Sequence, residues 1–181
     1  MRIIAGEARS RTIEAPKGRD TRPTLDRVRE NLFNILQMRV YGSRVLDLFS
    51  GSGALALEAV SRGAASAVMV DHDRAANLCE KKNAAALRFE DRTKIMLADW
   101  QAAVSSLEAS GERFDLIFLD PPYAMRDLTG VTAALLPLMA EDARVIAEHQ
   151  ADAPYAVCDA LERVDARRYG FVGVTIYRRK D

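Results

Sequence analysis

The chain has 181 residues, of which 49% are hydrophobic and 29% charged, and this size and composition suit one globular domain with a substantial core. No apolar run is long enough to span a membrane, and no signal-peptide segment follows Met1, so we expect a cytoplasmic protein. Cys79 and Cys158 lie far apart, which argues against a disulfide framework or a zinc cluster. We expect a monomer that holds no metal.

Positive charge is concentrated at the two ends of the chain, although the net charge is zero. Residues 1–44 carry a net charge of +5, residues 161–181 carry +3, and the stretch between them carries −8. Surface ion pairs alone would explain such asymmetry. It also fits cationic surfaces that bind a polyanion, for which Arg9, Arg11, Arg22 and Arg168 are the candidates.

From Arg44 onward, short apolar runs rich in β-formers alternate with helical patterns. This alternation predicts an α/β fold, a mostly parallel seven-stranded sheet with helices on both faces, whose ligand site lies at the carboxyl ends of the strands. The predicted parallel strands are Arg44–Leu48, Ala67–Asp71, Thr93–Leu97, Asp115–Leu119 and Ala143–Glu148. The predicted helices between and after them are Ala54–Arg62, Arg74–Leu87, Trp100–Ala109 and Leu128–Ala140.

The two flanks depart from this alternation. Arg2–Ala15 is predicted to form a small hairpin, and apolar spacing predicts a helix over Leu25–Met38 with Thr24 as its N-cap. Leu161–Ala166 and Phe171–Arg178 are predicted to form an antiparallel pair that closes the sheet. We therefore expect a basic N-terminal extension over residues 1–40 and a ligand-binding domain over residues 41–181.

A glycine turn links the first strand to the next helix. In VLDLFSGSGALALEA (residues 45–59), Gly51 and Gly53 allow positive φ and close approach to a ligand, and the helix start offers free N–H groups. A dinucleotide fold, or an ordinary strand-to-helix turn, would use a similar loop. Asp47 favours a different ligand, because its carboxylate suits an ammonium group such as that of a methionine moiety and repels a pyrophosphate. Phe49 and Ser50 are further candidates for ligand contact.

Acidic residues follow the second and third strands. Asp71 is placed to accept hydrogen bonds from ribose hydroxyls, with His72 beside it, while Asp73 is predicted to cap the following helix. Asp99 and Trp100 are candidates for contact with an adenine ring. Asp99 is equally well explained as a helix N-cap.

The fourth strand is followed by Asp120-Pro121-Pro122-Tyr123. Two consecutive prolines remove two backbone donors and fix φ, so the Asp120 carboxylate and the neighbouring carbonyls are held as rigid acceptors. Such acceptors would orient an NH₂ group on a base toward an electrophilic methyl group, and Tyr123 offers a ring on which a flipped base could stack. A simple proline turn is the alternative.

Together these motifs resemble the class I S-adenosylmethionine-dependent methyltransferases that modify amino groups with a (D/N)-P-P-(Y/F) loop. The N-terminal MRIIAG (residues 1–6) and RPTLDRVRENLFNIL (residues 22–36) are similar to the bacterial 16S rRNA (guanine-N2)-methyltransferase family known as RsmD. The likeness runs nearly end to end. One departure is Asp71, where Glu is commoner in the family.

The resemblance implies S-adenosylmethionine as the cofactor, no metal, and a guanine of 16S rRNA in the assembling small ribosomal subunit as the substrate. It implies that the segment with Arg22, Pro23 and Thr24 borders the cofactor and substrate pocket, with Arg22 and Thr24 in contact with the cofactor. It also implies cofactor contacts for residues from the glycine loop and the strand ends: Asp47, Phe49, Ser50, Gly51, Gly53, Asp71, His72, Asp99, Trp100 and Asp120. Asp120, Pro121, Pro122 and Tyr123 would meet the target amine.

Three alternatives remain at this point. DNA adenine-N6 and protein-glutamine methyltransferases use the same type of loop, usually with Asn before the prolines. A dehydrogenase would need a substrate domain for which the chain has little room. A nucleic-acid-binding module with a vestigial site is disfavoured, because Asp47, Gly51, Gly53 and Asp120 are all intact.

Overall fold

A computed structural model describes residues 1–16, 23–122 and 124–181, with only the backbone described for residues 23–25. Seven strands form one sheet in the order β3-β2-β1-β4-β5-β7-β6. β1 to β5 are parallel to one another, whereas β7 is antiparallel to both β5 and β6. The strands are β1 (Arg44–Asp47), β2 (Ser66–Asp71), β3 (Thr93–Leu97), β4 (Phe114–Leu119), β5 (Met139–Gln150), β6 (Leu161–Tyr169) and β7 (Val172–Arg179).

Helices cover both faces of this sheet. On one face lie α1 (Pro23–Val40), α2 (Ala54–Ser61) and α3 (Arg74–Leu87), whose apolar residues share a core with Val45, Met69, Phe118 and Ile146. On the other face lie α4 (Trp100–Ala109) and α5 (Thr129–Leu135), which pack on Leu46, Val70, Ile117 and Val145. Alternate residues of each central strand are buried on opposite faces. The predicted α/β architecture is therefore confirmed.

The predicted boundaries differ most from the structure between α5 and β5. The helix expected over Leu128–Ala140 ends as an α-helix at Leu135, and a short 3₁₀ turn over Leu136–Leu138 contains Pro137. Pro137 cannot donate a backbone hydrogen bond, so the turn tightens there. β5 then begins at Met139 instead of Ala143, and a shift in register lies between the pairs Phe114–Met139 and Leu116–Arg144.

The N-terminal segment turns back on itself, as expected, but in the described residues its pairing is a single antiparallel bridge between Arg2 and Thr12. Its main anchor is Glu58 on α2. The Glu58 carboxylate, which is fully buried, accepts hydrogen bonds from the backbone N–H groups of Ile4 at 2.8 Å and Ala5 at 3.0 Å. The same carboxylate pairs with Arg62 at 2.7 Å and with the buried Arg29 of α1 at 3.7 Å.

The predicted helix over Leu25–Met38 is present but longer at both ends. It begins at Pro23, so Thr24 lies inside the first turn and the prediction that Thr24 is the N-cap was wrong. Proline is favoured at a first helical position, because its fixed φ suits the helix and its missing N–H is not needed there. Within the described ranges, no helix has the length and apolarity needed to cross a membrane.

Candidate active site

The glycine loop joins β1 to α2 in the conformation that its sequence predicts. Gly51 and Gly53 have φ angles of 57° and 76°, values that side chains rarely adopt. A Cβ at Gly53 would also lie 2.6 Å from Sδ of Met69. α2 starts at this loop without a side-chain cap, so its first N–H groups point toward the carboxyl edge of the sheet.

Asp47 is the least compensated carboxyl group at this edge. It is 1% exposed, and neither of its oxygens has a hydrogen-bond partner among the residues that the structure describes. Desolvation holds the pKa of Asp47 well above its usual range, and the charges of Glu80, Asp120 and Asp71 raise it further. The backbone N–H of Ala56 acts in the opposite direction, although it does not complete a hydrogen bond of ordinary geometry. A buried acceptor that lacks a donor is stabilised when a cation or an N–H donor binds beside it.

Asp71 lies directly behind the glycine loop. Its carboxylate accepts hydrogen bonds from the backbone N–H of Gly51 at 2.9 Å and of Asp73 at 2.9 Å. Asp71 thereby fixes the loop, and it also faces a cavity at the carboxyl edge. The neighbouring His72 is largely exposed, with Nδ1 at 3.6 Å from the Asp71 carboxylate.

This cavity has a volume of about 180 Å³. Its lining comes from the ends of β1, β2 and β3 and from the loop after β4: Leu48, Phe49, Asp71, His72, Ala98, Asp99, Trp100, Pro122 and Met125. The aromatic and acidic residues that were predicted to bind a nucleoside therefore line a single cavity. Ligand pockets are usually larger than about 300 Å³, so the cavity suits part of a ligand, such as a nucleoside.

Two aspartates at the strand ends act as helix caps. Asp73 accepts a hydrogen bond from the backbone N–H of Ala75 at 2.9 Å, so its predicted capping role is confirmed. Asp99 accepts one from Ala102 at 2.8 Å and caps α4, which is the alternative that the sequence left open. Its contact with an adenine ring stays a prediction.

The double-proline loop borders the same cavity through Pro122. The Pro122 carbonyl accepts a hydrogen bond from the Met125 N–H at 2.8 Å. Asp120, immediately after β4, is close enough to raise the pKa of Asp47 on β1 and of Glu148 on β5. The loop and the glycine turn thus open on the same edge. Tyr123, Arg22 and the side chain of Thr24 lie outside the described residues.

Sequence reasoning missed two further acids at this edge. Glu80 on α3 is fully buried and contacts the hydroxyl of Ser50 in the glycine loop. Burial raises the pKa of Glu80 to about 7, with a smaller contribution from Asp71. Glu148, near the end of β5, has a pKa raised to about 8 by burial and by Asp120. Asp71 was predicted from its position at the end of a strand, and the same criterion would have identified Glu148.

The arginines proposed for a polyanion surface are not all near the cavity. The Arg11 side chain contacts the Ala86 carbonyl near the end of α3, and Glu7 N–H binds the Ser61 carbonyl at the end of α2. Both helices start at the cavity edge, so Arg11 lies toward the opposite edge of the sheet. Arg9 lines a separate groove with Asp26, Arg27 and Glu30 of α1. Arg168 is different, because the pairing of Gln150 with Val172 places the β6–β7 turn at the carboxyl end of β5.

The strand order, the glycine loop after β1 and the acceptor loop after β4 define a class I methyltransferase fold. Comparison with known proteins gives the family. The family model described as "Conserved hypothetical protein 95" matches residues 1–178. The chain belongs to this family, which is the RsmD family of methyltransferases.

Individual relatives agree with this assignment. The chain is 35% identical over 184 residues to the Bacillus subtilis protein named "Putative rRNA methyltransferase YlbH", covering 99% of this chain and 100% of that one. It is 37% identical over 155 residues to "Ribosomal RNA small subunit methyltransferase D" of Escherichia coli, covering 84% and 76% of the two chains. The solved structure of "Putative methyltransferase yhhF" from Escherichia coli matches with a TM-score of 0.84 and 31% identity over 100% of this chain and 98% of that chain.

Proposed function

We propose that this protein transfers a methyl group from S-adenosylmethionine to the exocyclic N2 amine of a guanine in 16S rRNA of the assembling small ribosomal subunit. The observation that carries the proposal is that Pro122 of the acceptor loop lines the same cavity as Asp71, Asp99 and Trp100. A nucleoside bound in that cavity would lie next to the loop that is proposed to bind the target amine. The rRNA methyltransferases among the relatives support the same substrate class.

The residues present fit S-adenosylmethionine. Asp47 is a buried carboxyl group without a hydrogen-bond partner, and it would pair with the ammonium group of the methionine moiety. The same moiety would lie beside Phe49, Ser50, Gly51 and Gly53. Both glycines have positive φ, which favours a residue without a side chain and leaves the loop open to a ligand. Asp71 and His72 would face the ribose, and Asp99 and Trp100 the adenine. The bound cofactor supplies an electrophilic methyl group on sulfur.

The chain itself positions the nucleophile. The lone pair of an exocyclic amine is conjugated with the base, so the amine reacts slowly unless it is held in the right orientation. Asp120 and the Pro121 carbonyl would accept its two N–H bonds, and the fixed φ of each proline would keep these acceptors in place. Tyr123 would stack on the flipped base. Positioning and electrostatics then account for most of the rate.

The substitution Asp120→Ala tests this function. Small ribosomal subunits from a strain lacking the gene are incubated with labelled cofactor, and the modified base is mapped. We expect the wild-type protein to label the N2 amine of one guanine, and the variant to lose turnover by about 100-fold or more while it still binds S-adenosylhomocysteine. Full turnover in the variant would exclude the role of Asp120.

The same experiment separates the alternative substrates. Label on an adenine N6 amine or on a protein glutamine would replace the guanine assignment. A protein that binds NAD and ignores S-adenosylhomocysteine would exclude every methyltransferase function.

A further inference from the structure

A groove lies between α1 and the end of β6, outside the cavity described above. In the described part of the chain its lining is polar and basic and includes no acidic residue: Asn31, Asn34, Ile35, Arg167, Arg168 and Tyr169. Its volume is about 490 Å³, larger than that of the nucleoside cavity. The groove is open to solvent along its length, so it suits a segment of a macromolecule better than an enclosed small ligand.

Both walls of this groove extend toward the edge of the sheet that carries the acceptor loop. β6 and β5 point in the same direction, because each is antiparallel to β7, so Tyr169 at the end of β6 lies at the carboxyl edge. α1 runs the opposite way, since Arg39 near its end contacts Asp142 near the start of β5 at 2.7 Å. β6 is three strand spacings from β4 in the sheet order, which is about 14 Å. A chain in the groove can therefore continue into the site after β4.

The α1 wall of the groove presents two amide side chains. Asn31, Asn34 and Ile35 lie on one stripe of the helix, because residues three and four apart are neighbours on a helix surface. All three are exposed. An amide both donates and accepts hydrogen bonds, so this wall suits the base edges and sugar hydroxyls of a nucleic acid.

The β6 wall presents two cations. Arg167 and Arg168 are 54% and 61% exposed, and they pair with Asp165 and Asp152 respectively. Exposed ion pairs of this kind contribute little to stability. A phosphate group can therefore replace either carboxylate at small cost, and the planar guanidinium groups suit phosphate oxygens.

Two aromatic side chains complete the β6 wall. Tyr169 lines the groove, and Phe171, in the turn just beyond it, is 57% exposed. The turn is held in place, because Nε of Arg168 donates to the Gly170 carbonyl at 3.1 Å and the Ala151 N–H donates to the Phe171 carbonyl at 2.9 Å. Exposed rings beside arginines are typical of surfaces that bind single-stranded RNA. The centre of a protein interface is usually depleted in charged residues, so a protein partner fits this groove less well.

We propose that this groove binds a single-stranded segment of rRNA next to the target nucleotide. Arg167 and Arg168 pair with its phosphates, and Phe171 stacks on one of its bases. The amides of Asn31 and Asn34 contact sugars or base edges. This inference rests on the proposed function, because it names the part of the same substrate that lies outside the site of methyl transfer.

Two substitutions test the groove by binding to small ribosomal subunits from a strain lacking the gene. We expect Arg167→Glu to weaken binding about tenfold and to reduce the dependence of log K on log salt concentration by about one unit. Phe171→Ala should weaken binding about tenfold with an unchanged salt dependence, because stacking involves no charge. Affinity for S-adenosylhomocysteine should be unchanged in both variants.

The matched controls lie at the amino edge of the sheet. Arg113→Glu changes an exposed arginine just before β4, and Tyr41→Ala removes a ring that is 85% exposed just before β1. We expect both controls to bind subunits as the wild type does. Unchanged binding by Arg167→Glu and Phe171→Ala, or equal losses in the controls, would overturn the proposal.

A crosslink distinguishes RNA from protein in the groove. Cys79 and Cys158 are buried, so a benzophenone maleimide reacts with the new thiol of Asn34→Cys. We expect irradiation to join this position to 16S rRNA at nucleotides adjoining the methylated guanine, and crosslinks to ribosomal protein alone would overturn the proposal. Methylation is assayed separately with the wild type. A wild type that methylates no guanine of 16S rRNA would refute the proposed function, whereas binding and crosslinking decide the role of the groove.

Discussion

The Ser50 hydroxyl of the glycine loop lies within hydrogen-bond distance of the Glu80 carboxyl group on α3. Ser50 Oγ is also 3.0 Å from the Val70 carbonyl oxygen. A hydroxyl has one proton to donate, so Ser50 donates either to Glu80 or to Val70 at any moment. Burial raises the pKa of Glu80 to about 7, although the hydrogen bond from Ser50 acts in the opposite direction. The protonation of Glu80 is thus linked to the conformation of the glycine loop.

This link predicts a pH-dependent contribution to stability. The pKa of Glu80 rises from 4.5 to about 7 on folding, so between these values the folded protein keeps a proton that the unfolded chain has released. Stability therefore falls as the pH rises through this window. We expect Glu80→Gln to reduce the loss of unfolding free energy between pH 5 and pH 8 by about 1–3 kcal/mol, as measured by urea denaturation. Glu108→Gln, at an exposed site on α4, is the control. Parallel pH profiles for wild type and Glu80→Gln would contradict the prediction.

Asp47 is expected to lower the stability of the ligand-free protein and to strengthen cofactor binding. Its carboxyl group is buried without a hydrogen-bond partner, which destabilises the protein in the absence of a ligand. We expect Asp47→Asn to raise the melting temperature without ligand, because the amide carries no charge to desolvate. The same change should weaken S-adenosylhomocysteine binding about tenfold or more and so reduce the ligand-induced shift in melting temperature. Undiminished affinity measured by calorimetry would show that Asp47 does not meet the ammonium group.

Glu58 should be essential for the attachment of the N-terminal segment. It is fully buried and holds Arg29, Arg62 and two backbone N–H groups. Removing its charge takes away one of the two carboxylates that pair with the buried Arg29 in the described part of the chain, the other being Asp26. We expect Glu58→Gln to cost about 3 kcal/mol of unfolding free energy.

The pair of Glu112 with Arg44, where both side chains are partly exposed, provides a comparison. Glu112→Gln should cost less than about 1 kcal/mol. Similar costs for the two substitutions would mean that the Glu58 cluster adds little to stability.

The arginines should differ in their effect on RNA binding. Arg168 lies at the cavity edge and pairs with the exposed Asp152, whereas Arg11 contacts the Ala86 carbonyl near the end of α3, toward the opposite edge. We expect Arg168→Glu to weaken binding to small-subunit rRNA and to reduce the dependence of log K on log salt concentration by about one unit. Arg11→Glu should have a smaller effect. If Arg11→Glu has the larger effect, the RNA contacts the edge opposite the cavity.

Local signals in the sequence were sufficient for most of the fold. Glycine in the β1–α2 turn is required because φ is positive there, and Asp73 caps α3 because its side chain reaches an N–H two residues ahead. The alternation of strand and helix patterns predicted the parallel sheet. Each pattern is a repeat of apolar residues within a short stretch of chain, so it can be identified from the sequence alone. The end of α5 was missed, because Leu138, Met139 and Ala140 beyond Pro137 are good helix formers, although they lie in the 3₁₀ turn and at the start of β5.

The candidate site, like the fold, was predictable only in part from the sequence. The sequence by itself determined the glycine loop, the acceptor loop and the family resemblance, because each is carried by residues adjacent in the chain. Only the tertiary structure decided that Glu80 contacts Ser50, that Asp120 and Glu148 lie side by side, and that Arg11 contacts the end of α3 away from the cavity. These relationships join residues far apart in the chain, and they depend on strand register and helix direction, which short sequence patterns do not encode.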